Sequence, residues 1–166
     1  MMDPVTKINI VQAISAILIP NFGEVLILLG YKQYYNDKDV IVLPKWTMSN
    51  AAFTMAWISL YSLIGYSSFL IIKYGNTEHK LHKITKISLV LFGMTVALSW
   101  SWRFVLFISK NIIMAWVLAI ILDLVAILTV IVFFLIKPTV SSLLLPYIIW
   151  LMFNTLFNFA LISLNK

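Results

Sequence analysis

The chain has 166 residues, of which 62% are hydrophobic and 11% charged, with a formal net charge of +6. A soluble domain is about half apolar and a quarter charged, so this composition points to an integral, multi-pass membrane protein. The chain has no cysteine, which excludes disulfides, thiol catalysis and thiolate metal sites. The basic residues are scattered, with no arginine-rich stripe, so they match anionic headgroups and not nucleic acid.

Five stretches reach the length of about 20 apolar residues that a bilayer core requires of a helix. The first runs from about Ile8 to Tyr31 and carries Pro20 and Glu24. It follows a short polar lead without a small-residue cleavage site, so it reads as a span and not as a cleaved signal. Pro20 is expected to kink it. The first loop, KQYYNDKDVIVLPK, mixes charge with the apolar patch Val40 to Leu43. A long loop with its own apolar patch folds back onto something, and we expect a lid over a site, the patch turned inward.

The second span runs from about Trp46 to Ile72. On a helical wheel Asn50, Thr54, Tyr61, Ile64 and Ser68 fall close to the line of Trp57. The next loop holds His79 and His82, whose spacing could ligate a metal or haem; we read them as residues of a solvated loop and expect no metal site. The third span runs from about Ile84 to Ile108. Trp100 and Trp102 point about 160° apart on it. We take Trp100 as the inward ring and Trp102 as part of the interfacial belt, with Arg103 snorkelling beside it.

The fourth span runs from about Ile112 to Ile136 and ends at Lys137-Pro138. Asp123 lies near its middle, where a charge costs roughly 2.5–3.5 kcal/mol. That predicts a hydrogen bond to an Asn or Ser of another span, or a ligand role. The fifth span runs from about Val140 to Leu164. Tyr147, Trp150, Asn154, Phe157, Asn158, Leu161 and Asn165 share one sector of its wheel about 100° wide. Lipid cannot satisfy an amide, so this face meets protein or a cavity. Both striped faces admit two readings: packing joined by Asn, Ser and Thr, or an aromatic-lined ligand site.

Five spans put the termini on opposite sides of the membrane. Lys and Arg number six on each side, so charge does not set the orientation. No phosphate loop, HExxH or GxSxG motif is present.

The last span, LLLPYIIWLMFNTLFNFALISLN, resembles the final helix of the translocator protein family, also called tryptophan-rich sensory proteins, through Pro146, Tyr147, Trp150, Phe153, Asn158 and Asn165. PKWTMSNAAFTMAWISLYSLIGY is similar to a second family segment through Pro44, Trp46, Trp57, Leu60, Tyr61, Gly65 and Tyr66. SWSW at 99–102 looks like the family's NWAW. There are departures: Met48-Ser49 replace paired prolines, Ser99 replaces an asparagine and Asn154 a small residue, and Phe159 stands where animal members carry a tyrosine. The acid of the fourth span, Asp123, falls five residues beyond the family's position.

The resemblance implies one all-α domain over 1–166, a five-helix transmembrane bundle with a ligand pocket between helices 1, 2 and 5 under the first loop. It implies a binding protein or sensor for a porphyrin, another tetrapyrrole or a sterol-like molecule. No cofactor is required, and porphyrin or haem enters as ligand. The expected ligand-binding residues are Leu28, Trp46, Trp57, Tyr61, Trp100, Tyr147, Trp150, Asn154, Phe157 and Asn158. The resemblance also carries light-dependent porphyrin degradation, with Trp57 and Trp150 implicated. A structural or transport subunit without ligand is the third reading. The expected partners are the lipid bilayer, the ligand and a second copy of the chain, the last through small residues such as Ala51, Ala52 and Ala56.

Overall fold

The computed structural model describes residues 4–34 and 41–165, with side chains from Asn9 onward except at positions 28 and 30–34. Five helices in it are long and apolar enough to cross a membrane. They are α1 (Pro4–Tyr34), α2 (Asn50–Gly75), α3 (His82–Phe107), α4 (Ile112–Ile136) and α5 (Leu145–Leu164). No strand occurs among the described residues.

The boundaries follow local chemistry. The second helix begins at Asn50 and not at Trp46, because the Ser49 hydroxyl accepts a bond from the Ala52 N–H at 3.3 Å and caps it. Asn111 caps α4 in the same way, accepting from the Met114 N–H at 3.0 Å. The turn before it is tight enough to hold Lys110 at φ 53°, in the left-handed region. Lys137-Pro138 ends α4, as expected, and Pro138 then opens a short helical turn, Pro138–Ser141. The fifth span is therefore broken: that turn and a 3-10 turn, Ser142–Leu144, precede α5.

Small and hydroxyl residues set the helix packing, since lipid tails give apolar side chains no reason to prefer protein. Gly65 of α2 lies against the α1 backbone; a Cβ there would stand 2.3 Å from the Ala16 carbonyl oxygen. That carbonyl is the one whose helical partner Pro20 removes. Asn21 of α1 donates to Ser62 of α2 at 3.1 Å. Thr95 of α3 and Thr129 of α4 share a bond of 3.0 Å, and Ser99 of α3 and Tyr147 of α5 one of 2.6 Å. Outward faces carry Val11, Leu18, Ile113, Leu124, Leu135, Ile149 and Leu156, all at least half exposed within the protein alone. These are the surfaces that meet hydrocarbon.

Asp123 does find a hydrogen-bond partner on another span. The donor is a threonine, Thr155 of α5, at 2.7 Å, in place of the Asn or Ser expected. Arg103 does not snorkel. It is 3% exposed and ion-paired with Glu24 of α1, which is fully buried. Trp102 is not in an interfacial belt either; it is 1% exposed, in the core.

Candidate ligand site

The striped faces of α2 and α5 converge. Trp57 is the hub. Its ring centroid lies 5.1 Å from Tyr61, 6.3 Å from Tyr147 and 6.2 Å from Trp150. Helix periodicity explains the grouping. Trp57 and Tyr61 are one turn apart on α2, and Tyr147, Trp150, Asn154, Phe157 and Asn158 recur at three- and four-residue intervals on α5. Phe53, one turn before Trp57, contacts Trp150 at 5.6 Å.

The polar groups of this cluster are only partly satisfied. The Asn154 amide donates to the Trp150 carbonyl at 2.6 Å, and the Asn158 amide to the Asn154 carbonyl at 2.7 Å. Their side-chain oxygens have no partner, and neither do the indole N–H groups of Trp57, Trp102 and Trp150. A buried N–H or amide oxygen left without a partner costs roughly 1–3 kcal/mol. Five of them in one neighbourhood suit a site whose occupant supplies acceptors and donors.

The end of the first loop is pinned over α5. The Asn165 side chain exchanges two bonds with the Val42 backbone: Val42 N–H to the Asn165 oxygen at 2.8 Å, and Asn165 amide to the Val42 carbonyl at 3.0 Å. Trp46 lays its ring edge-on to Phe153 at 5.6 Å and Phe157 at 5.8 Å. Of the apolar patch, Ile41 packs inward, whereas Val42 and Leu43 are 54% and 48% exposed and do not. Val40 and the loop before it lie outside the described residues, as does the side chain of Leu28.

An apolar groove of about 470 Å³ opens between α2 and α5, lined by Met48, Ala56, Leu60, Pro146, Trp150 and Phe153. Trp150 belongs to both the groove and the Trp57 cluster, so the cluster borders a surface that faces lipid.

Trp100 is placed elsewhere. Its N–H donates to the Pro20 carbonyl at 3.0 Å, and its ring covers Gly23, where a Cβ would come within 2.1 Å. It clamps α1 to α3. Its neighbour Trp102 joins the cluster instead, 5.7 Å from Trp57. Glu24 and Arg103 stand beside it, the Arg103 guanidinium carbon 5.4 Å from the ring centroids of both Phe53 and Trp57. The wheel of α3 held the signal for Trp102: Thr95, Ser99, Trp102 and Leu106 form a stripe of the same kind as on α2 and α5, and all four are buried.

The TspO/MBR family matches residues 13–164. The chain belongs to the TspO/MBR family. It is 29% identical over 119 residues to the translocator protein of Homo sapiens, covering 70% of this chain and 68% of that one. It is 33% identical over 122 residues to the tryptophan-rich protein TspO of Archaeoglobus fulgidus, covering 74% and 75%. The corresponding protein of Chlorobaculum tepidum is 24% identical over 125 residues, covering 75% and 77%. Ser99 and Ser49, two of the departures met in the sequence resemblance, each have a local structural role: Ser99 bonds Tyr147, and Ser49 caps α2.

Proposed function

We propose that this TspO/MBR protein is a membrane-embedded binding protein or sensor for a flat hydrophobic ligand, a porphyrin or related tetrapyrrole or a sterol-like molecule. The ligand sits against Trp57 and Trp150, between α1, α2 and α5 beneath the end of the first loop. One observation carries this reading: the aromatic faces of α2 and α5 meet around buried indole and amide groups that have no protein partner. Helix packing leaves few such groups without partners, so a cluster of them favours a ligand. Large rings supply stacking area, and the free polar atoms fix the edge of the ligand. No cofactor is part of the proposal; porphyrin or haem is bound as ligand.

The test is titration of the purified protein in detergent with protoporphyrin, haem and a sterol, read by tryptophan quenching and Soret absorbance. Saturable binding that weakens in Trp57→Ala and Trp150→Ala is expected. A folded protein that binds none of the three is a structural or transport subunit, and the proposal fails. A second reading, light-driven oxidation of bound porphyrin with dissolved dioxygen as the electron acceptor, draws on the row Trp102, Trp57, Trp150, whose successive ring centroids are 5.7 and 6.2 Å apart. Bleaching of the Soret band in light but not in darkness separates it from plain binding. A homodimer completes the proposal, through Ala51 and Ala52, both exposed at the start of α2.

A further inference from the structure

We propose that Arg103 is the anchor for a carboxylate on the ligand, so that the site takes a flat molecule bearing an acid group in preference to a neutral one. This rests on the ligand-site reading above and adds a chemical class to it.

Glu24 and Arg103 lie on helices that cross the membrane and are 0% and 3% exposed. Charges inside a membrane protein are expensive, and they persist where they face the bundle interior and serve a pathway or a ligand. A pair kept only to join α1 to α3 would stabilise most by closing as two parallel bonds, because each unpaired lone pair or N–H adds to the desolvation cost. This pair is not closed. Arg103 Nη1 donates to Glu24 Oε2, while Glu24 Oε1 and Arg103 Nε are buried without partners. The α1–α3 contact is also held independently by the Trp100 bond to Pro20.

The guanidinium is a rigid planar fork with five N–H donors. Glu24 occupies one of its corners and leaves the Nε side free. The fork is held by the rings of the site itself: its carbon lies 5.4 Å from the centroids of Phe53 and Trp57, and 5.7 Å from Phe107. Phe53 and Trp57 are the rings that contact Trp150. The guanidinium that carries the unused donor therefore lies over two rings of the aromatic cluster. A carboxylate matches an arginine fork in plane and charge, whereas a hydroxyl offers a single neutral acceptor.

The test compares protoporphyrin IX, which has two carboxylates, with its dimethyl ester, on the full-length protein in detergent. Wild type should bind the acid about tenfold or more tighter than the ester, since a charge-assisted bond corresponds to at least that ratio. The Glu24→Gln/Arg103→Gln double variant should bind the two alike. Glu24→Gln alone leaves Arg103 without a counter-ion, so the acid should raise its melting temperature more than that of wild type, and the ester should not. Arg103→Lys, which keeps the charge opposite Glu24 but loses the fork, should shrink the acid-to-ester ratio and carries the comparison if the double variant does not fold. Equal affinity for acid and ester in wild type, or a ratio unchanged in the variants, overturns the anchor while leaving the ligand site standing. Binding of neither compound overturns both.

Discussion

Trp57 of α2 and Trp102 of α3 lie with ring centroids 5.7 Å apart and planes inclined by 35°. Both are almost completely buried, so α3 contributes to the aromatic cluster as directly as α2 and α5 do. Trp102→Ala should destabilise the protein by about 3–5 kcal/mol, the range for removing a large aromatic from a packed core. Trp102→Phe should cost less. Thermal unfolding in detergent reads the difference, and an unchanged midpoint in the alanine variant would place Trp102 outside the core.

Trp150 lines the groove and stacks on Phe153 at 5.3 Å, as well as touching Trp57. Replacing it by alanine should weaken porphyrin binding about tenfold to several hundredfold. Trp150→Phe should be milder, because a ring remains. Wild-type affinity in the alanine variant would leave the polar stripe of α5 as packing alone.

The end of the first loop is held to α5 by the two bonds between Asn165 and Val42. Each is worth about 1 kcal/mol in an exposed setting. Asn165→Ala should therefore raise the ligand off-rate severalfold with little change in melting temperature. Stopped-flow displacement measures it, and an unaltered off-rate would remove the loop from the path of release.

Thr155 holds Asp123 with a 2.7 Å bond, and the other carboxyl oxygen of Asp123 has no partner. Thr155→Val should cost roughly 1–3 kcal/mol by leaving a polar group unsatisfied. Asp123→Asn should be tolerated, since an amide keeps the bond without a charge. A double-mutant cycle with Asp123→Leu should show coupling; additive effects would mean that the bond adds nothing to stability.

Gly65 meets the α1 backbone, where a new Cβ would stand 2.3 Å from the Ala16 oxygen and 2.9 Å from the Ile17 Cα. Backbone cannot move aside as a flexible side chain can. Gly65→Ala should destabilise by about 1–3 kcal/mol through overpacking. Equal melting points for variant and wild type would show that α1 and α2 separate freely.

What lies within one helix was legible in the chain. Composition determined the membrane class, apolar length determined five spans, and Lys137-Pro138 determined the end of α4, because each is a property of a single segment in hydrocarbon. The wheel faces of α2 and α5 were legible for the same reason: the 3.6-residue period places Trp57 with Tyr61, and Trp150 with Asn154 and Phe157, wherever the helices go. Which faces meet, and at what depth, was decided only by the tertiary structure. The α3 wheel puts Trp102 with Thr95, Ser99 and Leu106, but what each ring meets was decided by the tertiary structure: Gly23 makes room for Trp100, and Trp102 lies 5.7 Å from Trp57. Arg103 taken by itself belongs at a membrane surface. Glu24, 79 residues earlier and on the far side of two loops, reaches it only after α1 and α3 have packed. An isolated span carries no record of its neighbour's axial position, and a buried charge is tolerable only at the level where its partner stands.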